Sequence, residues 1–474
     1  MSAIHLWPWL SSGVHLPLPL PGLALPTRRA GLPTPIGDFS TTESDVTTTR
    51  RLAHCGWCTA LLAAVALLVN GCSSADQTVV VTEYVTPGAS TGPVTVTPLP
   101  TAATTDATAP ATGALSRVRV SADPKFGSTD VPPTEPVTIT AFNASITDLT
   151  AVSKTDNTVL SGTISDDGGT WTLGERMSYA TTYTLTGSAV GSDGAPVPIE
   201  GQISTVDPGE TMRASVQLAE GGTYGVATPI IITFAGEVTD KAAAEATFMV
   251  TTDKGFVEGS WAWLQDEDIQ GTGVKQSRAH YRTRDYWPGN TTVTVTAALY
   301  GVDLGDSWGR EDITRTFTIG RSQIVKADVN SFHLVVLVDG AVVKNYPVSY
   351  GRSTDDPELE TRSGIHVVQE KFDSFTMCNP KYGYCGFVAN WAVRISNNGE
   401  FIHENAAVID SLGKENVSHG CVNMSPADAK DFYDSALYGD PVEVTGTSTQ
   451  LSTADGDIFD WTYSFEQWKS FSAL

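Results

Sequence analysis

Two short stretches hold the residue types that carry out nucleophilic chemistry: Phe401-Ile402-His403 and, after fourteen residues, Ser418-His419-Gly420-Cys421-Val422-Asn423. A cysteine attacks a carbonyl carbon as its thiolate, so a side chain with a free pKa of about 8.5 needs a base or a positive potential beside it. Two histidines are spaced to supply this. His419 precedes Cys421 by two residues, which in an extended chain puts both side chains on one face. His403, at the end of an apolar strand, reaches the sulfur from a neighbouring strand. A helix beginning just after the cysteine adds the positive end of its dipole, and the N–H groups of Gly420 and Cys421 are placed to hold an oxyanion. Gly420 keeps the approach of a substrate carbonyl clear of any side chain. Cysteine and histidine also build zinc sites, but no Cys-x-x-Cys or His-x3-His spacing accompanies this cluster. The expectation is covalent catalysis by Cys421 with no metal and no cofactor.

The elements that must position these residues occupy 321–446. Gln323 to Ala327, Phe332 to Val338 and Ala341 to Ser349 read as strands, the last two joined by the hairpin signal Asp339-Gly340. Ser425 reads as the N-cap of a helix, with Pro426 its first residue and Asp428 the partner of the cap, running through Asp434. Gly439, Asp440 and Pro441 end that run before a last strand, Val442 to Thr445. Residues 447–474 carry Trp461, Phe465, Trp468 and Phe471, too aromatic to float free. This tail is expected to fold back onto the catalytic domain.

Upstream, short alternating strands separated by Gly, Asp and Asn turns predict β-sandwiches. Val137 to Ala141, Thr158 to Ile164 and Thr182 to Ser188 belong to a first unit at 115–207. A second unit, 208–320, repeats the pattern: Thr182-Tyr183-Thr184-Leu185-Thr186-Gly187 matches Thr292-Val293-Thr294-Val295-Thr296-Ala297. The prediction is a mainly β chain with two tandem immunoglobulin-like domains, neither holding a cysteine pair. Trp261, Trp263, Trp287 and Trp308 are expected to serve core or interdomain packing rather than a ligand shelf.

The N-terminal part reads as export and tethering. Arg50 and Arg51 precede an apolar run, Leu61 to Val69, which is too short to span a bilayer and ends at Val69-Asn70-Gly71-Cys72. That ending resembles a lipobox, so 50–72 is expected to be a lipoprotein signal peptide with Cys72 lipidated, and Cys55-x-x-Cys58 falls inside the discarded part. Residues 1–49 then read as a mis-annotated or disordered extension, the alternative being a long cytoplasmic tail before a retained anchor. Residues 73–114, rich in Thr, Pro and Ala, cannot bury enough surface to fold; as a linker they reach about 35 Å on average and above about 100 Å when stretched. Among 474 residues a formal net charge of -24 argues against nucleic acid as a partner.

His403, the fourteen-residue spacer and Ser418-His419-Gly420-Cys421-Val422-Asn423 together resemble the signature of the L,D-transpeptidase (YkuD-like) family. The layout of lipobox, paired immunoglobulin-like domains, motif and aromatic tail is similar to the large mycobacterial and related actinobacterial members. The resemblance implies a β-sandwich catalytic domain with Cys421 as nucleophile, His403 as general base and His419 as an orienting group. It further implies a backbone oxyanion contribution at Gly420, substrate contacts from Ser418 and Asn423, and Tyr384 as the tyrosine beside the oxyanion. The implied partners are peptidoglycan stem peptides, carbapenem inhibitors and, through the lipid anchor, a membrane. Two positions depart from the family pattern: Thr361-Arg362-Ser363-Gly364 lacks a usual proline, and Glu404 replaces a small residue. In an exported chain Cys378 and Cys385 would close a disulfide and leave Cys421 free. The rival class is a non-enzymatic wall-binding lipoprotein, which has no need of His403, His419 and Cys421.

Overall fold

The computed structural model describes residues 117–474 except 265, 270, 353–355 and 454–457. The extension, signal, lipidated Cys72 and linker expected before residue 115 lie outside the described residues. Among those described, no helix is long and apolar enough to cross a membrane.

Seven strands between Arg119 and Ser204 form the first unit, in the order 119–123, 138–142, 170–173, 159–164, 144–153, 182–191, 196–204. Val159–Ile164 joins the two layers, pairing first with Ala144–Ser153 and then with Thr170–Leu173. Gly162 sits at this crossover because a Cβ there would lie 2.2 Å from the Trp171 ring. Trp171 in turn fills the centre of the core with Ile139, Leu185, Ile199 and Ile203.

The second unit has two four-stranded sheets, one holding Ile313–Ile319, Thr291–Ala297 and Phe248–Thr252, the other Gly259–Trp263, Arg278–Thr283 and Ile230–Phe234. Val293, Val295 and Ala297 alternate inward from Thr291–Ala297 as a period of two requires. Trp261, Trp263 and Trp287 are core residues here. Trp308 lies edge-on to Tyr179 of the first unit, with ring centroids 6.2 Å apart.

Two further sheets enclose the third core. A five-stranded sheet runs Ala341–Pro347, His333–Val338, Gln323–Asp328, Pro441–Thr445, Gly364–Val367, and a four-stranded one runs Glu370–Asn379, Tyr384–Arg394, Phe401–Glu404, Val422–Met424. Asp339 and Gly340 turn the first hairpin with φ of 51° and 81°, the left-handed pair that matches strand twist. The helix is Pro426–Ser435, with the Ser425 side chain accepting from the Asp428 N–H. Its buried Ala429 and Phe432 close the core.

The tail departs from expectation. Its first residues do bind the catalytic domain, Thr449 N donating to Glu360 Oε2 at 2.9 Å. The aromatic residues instead seat on the second β-unit: Trp468 is 0% exposed, donates from Nε1 to Ser260 O at 2.9 Å and clusters with Ala262 and Phe465. Trp461 lies between the two: it donates to Ala227 O at 3.0 Å and packs with Val367 of the catalytic domain as well as with Ala227 and Ile231. Aromaticity marked the tail for burial, but the apolar face that receives Phe465 and Trp468 belongs to the neighbouring sandwich.

Candidate active site

Phe401–Glu404 and Val422–Met424 run parallel, with Ile402 opposite Val422, His403 opposite Asn423 and Glu404 opposite Met424. Alternation sorts the residues. Ile402, Val422 and Met424 enter the core between the sheets, while His403, Cys421 and Asn423 line a cavity of about 340 Å³ on the other face. Met377, Tyr382, Tyr384 and Phe387 form another wall, contributed by the hairpin of Glu370–Asn379 and Tyr384–Arg394. A Cys378–Cys385 disulfide ties the two arms of that hairpin just below its tip. The tip is held down by a Lys381–Glu358 ion pair and by the Tyr382 hydroxyl donating to Asp356 Oδ2 at 2.9 Å.

His403 is 2% exposed. Its Nδ1–H donates to the Glu404 carbonyl at 2.6 Å, which fixes the tautomer and leaves Nε2 as the acceptor. Burial holds its pKa down at about 4, so the ring is neutral and competent to take a proton. The Glu404 side chain accepts from Asn390 Nδ2 at 2.6 Å and is not a wall of the cavity.

Cys421 is the free cysteine among the described residues and keeps part of its surface open to the cavity. Its sulfur packs with Met377, Phe401 and the hairpin rings and donates to the Gly399 carbonyl at 3.4 Å. Burial pushes the thiol up to about 12; the Phe401 N–H on the sulfur opposes this and the Glu400 charge adds to it. Burial thus works against the resting activation expected at the sulfur. The helix begins after an intervening strand, up to roughly 13 Å along the chain from the sulfur, beyond the range of its first-turn dipole.

His419 does not bond to the sulfur either. Its Nε2 accepts from Arg352 Nη2 at 3.0 Å, and its ring lies between Tyr382 and Tyr384 at 5.6 and 5.3 Å. Burial and then the Arg352 charge lower its pKa. Ser418 is committed to the loop: its hydroxyl donates to Cys421 O and accepts from Gly420 N at 3.1 Å. The Gly420 N–H expected to face an oxyanion is thus already occupied, a correction to the sequence reading. Gly420, at φ +119°, turns the chain here, which is why 418–421 is bent rather than extended. Asn423 Oδ1 accepts from Asn405 Nδ2 at 3.3 Å. Tyr384 reaches the cavity wall, its hydroxyl pKa raised by burial and then by Cys421.

Arg352, Tyr382 and Asn405 escaped the sequence reading. Tyr382 shares a turn with Tyr384 and was open to detection; Arg352 lies 67 positions before its partner His419, with no local signal. No cluster of three or more metal-ligating side chains occurs among the described residues.

A model described as the L,D-transpeptidase catalytic domain matches residues 322–444, and a bacterial Ig domain model matches 128–303, across both upstream sandwiches. L,D-transpeptidase 5 of Mycobacterium tuberculosis is 46% identical over 75% of this chain and 77% of its own length. L,D-transpeptidase 2 of the same species is 32% identical over 73% of this chain and 83% of its own. A solved L,D-transpeptidase in complex with imipenem has 28% identity and a TM-score of 0.40, covering 49% of this chain and 97% of that one. With its catalytic motif on one cavity wall and its relatives matched over most of their length, the chain belongs to the L,D-transpeptidase family.

Proposed function

We propose that the chain makes 3-3 cross-links in peptidoglycan through an acyl-enzyme on Cys421. The observation that carries this reading is the parallel pairing that puts Cys421 and the Nε2 acceptor of His403 on one cavity wall. The Cys421 S–H proton passes to His403 Nε2 as sulfur attacks the carbonyl between the L-centre of a diaminopimelate residue and D-Ala in a tetrapeptide donor. The C–N bond breaks, the proton returns to the departing amine of D-Ala, and a thioester remains. The side-chain amine of diaminopimelate on a second stem then attacks; its C–N bond forms, the S–C bond breaks and the sulfur regains a proton. His403 serves as the base, His419 orients the site, and the Tyr384 hydroxyl with the Cys421 backbone N–H receives the oxyanion. Asn423 and the Ser418 loop contact the stem.

A carbapenem carbonyl is captured by the same sulfur. The mature chain is anchored at Cys72 in the cell membrane, facing the wall; fatty-acid labelling that persists in Cys72→Ala would overturn that placement. Related chemistries at one thioester, hydrolysis or attachment of a protein to the wall, differ only in the acceptor. Purified protein with a disaccharide-tetrapeptide separates them by product mass: a 3-3 dimer supports the proposal, and hydrolysed stems alone reject it.

A further inference from the structure

The nucleophile loop is held from behind by a threonine that does not line the cavity holding Cys421. Thr361 is 0% exposed. Its Oγ1 donates to the Gly420 carbonyl at 2.7 Å and accepts from the Gly351 N–H at 2.9 Å. Gly351 runs beside the same loop: the Ser418 N–H donates to Tyr350 O at 3.0 Å and the Arg352 N–H to Ser418 O at 3.1 Å. A Cβ at Gly351 would lie 2.5 Å from Thr361 N, so the two segments touch only because residue 351 has no side chain. Thr361 is in turn fixed by the start of the tail. Thr447 Oγ1 donates to the Thr361 carbonyl at 2.8 Å, and the Ser363 N–H donates to Thr449 O at 2.8 Å. Glu360, 5% exposed, takes the rest. Its Oε2 accepts from the N–H groups of Ser448 and Thr449 at 3.2 and 2.9 Å and from their hydroxyls at 2.8 and 2.9 Å. Bonds to a carboxylate outweigh neutral ones, so this corner is the firm end of the chain of contacts.

We propose that Thr361 is a positioning residue for acyl transfer: its hydroxyl aims the Gly420–Cys421 peptide so that the Cys421 N–H meets the developing oxyanion, and residues 447–449, held by Glu360, keep Thr361 in place. This rests on Cys421 being the nucleophile. The argument is one of peptide geometry. The Gly420 carbonyl and the Cys421 N–H belong to one planar trans unit, in which they point to opposite sides. A hydroxyl that fixes the carbonyl therefore also fixes the direction of the N–H. The same bond improves the donor, because a carbonyl that accepts a hydrogen bond polarises its own amide. Gly420 needs such a hold more than another residue would, since at φ +119° it has no Cβ to restrict the turn.

Two reagents separate aiming of the peptide from general disturbance of the sulfur. Imipenem acylates through a tetrahedral intermediate that carries an oxyanion, whereas iodoacetamide alkylates the thiol by displacement and forms none. Both rates are measured on the full chain, with the disulfide intact, at one pH. Thr361→Val keeps the shape and removes the hydroxyl, so acylation slows about ten- to a hundredfold while alkylation stays within about twofold of wild type. Thr361→Ser returns the hydroxyl and restores acylation to within about threefold. Glu360→Gln keeps the reach of the brace without its charge, and acylation slows about three- to tenfold with alkylation again held. Acylation and alkylation falling together in Thr361→Val, acylation within about twofold of wild type, or a Thr361→Ser variant as slow as Thr361→Val, overturns the inference. Unchanged acylation in Glu360→Gln strikes the tail from it. Should Thr361→Val not fold, Glu360→Gln decides alone, since equal slowing with both reagents, or with neither, contradicts the assignment. Failure of Cys421 as nucleophile shows separately, as cross-linking that survives Cys421→Ala.

Discussion

His403 stands across the parallel register from Asn423, so its ring lies two positions further along the strands than Cys421. The sulfur meanwhile points its proton at Gly399 O. A neutral imidazole and a protonated thiol therefore share a wall without sharing a hydrogen bond. The thiol must turn from Gly399 toward His403 as a carbonyl arrives, which couples deprotonation to attack. Cys421→Ala should abolish both carbapenem adduct and cross-linked product. Cys421→Ser should be a poor substitute, because the same base must remove a far less acidic proton. An adduct on Cys378 or Cys385 would reject the assignment.

His403→Ala should keep the fold and slow acylation by about 10² to 10⁴-fold if its role is proton transfer. Stopped-flow acylation by a carbapenem measures this. A loss below about threefold would assign the base elsewhere.

The same histidine gives a pH signature. Its folded pKa of about 4 lies below the ordinary 6.5, so the unfolded chain binds the proton more readily between those values. Stability from the neutral buried ring is full above about 6.5 and is lost as pH falls toward about 4. Thermal melts of wild type and His403→Gln over that range should show the wild type losing more, narrowing any gap between them. Parallel losses would mean that the ring is not held neutral by burial.

What the sequence disclosed was local. Ser425 and Asp428 announce a helix start because a cap and its partner are three residues apart, and Asp339-Gly340 announces its turn because both residues adopt positive φ. The motif pointed to His403 and Cys421 because strand alternation works over a few residues. The contacts that govern the thiol are different in kind. Arg352 on His419, Arg362 on Glu400 and Gly399 on Cys421 join segments that become neighbours only when the sheet forms. A lowered thiol pKa was expected from residue types alone, and burial, which types do not report, works against it.

The Cys378–Cys385 bond closes a short loop at the hairpin tip that carries Tyr382 and Tyr384. Loop entropy for so short a ring is worth about 2 to 3 kcal/mol to the hairpin. Peptide mapping without reductant should show the pair linked while Cys421 alkylates. The Cys378→Ser, Cys385→Ser double variant should melt several degrees lower in the catalytic domain and, below that transition, acylate several-fold more slowly, since the tyrosines lose their brace over His419. Unchanged acylation would make the bond irrelevant to the site.

The tail supplies the last test, because its Trp468 packs on the second sandwich, away from the cavity that holds Cys421. Trp468 is fully buried, and Arg282, itself 2% exposed, lies 5.2 Å over its ring and 4.6 Å over Trp461. Arg282 also donates to Tyr463 O at 2.8 Å, and His280 pairs with Asp460 at 3.0 Å with both side chains 0% exposed. Removing the indole opens a large void and leaves the guanidinium short of a ring, a loss of about 3 to 5 kcal/mol for an aromatic-to-alanine change. Trp468→Ala should therefore lower the melting transition of the second sandwich by several degrees in calorimetry. Cys421 packs in a small cluster with Met377 and Phe401, apart from the Trp468 cluster, so carbapenem acylation measured below the new transition should match wild type. Loss of acylation in a variant whose catalytic domain still melts normally would show that the tail, through the sandwich it clasps, also shapes the active site.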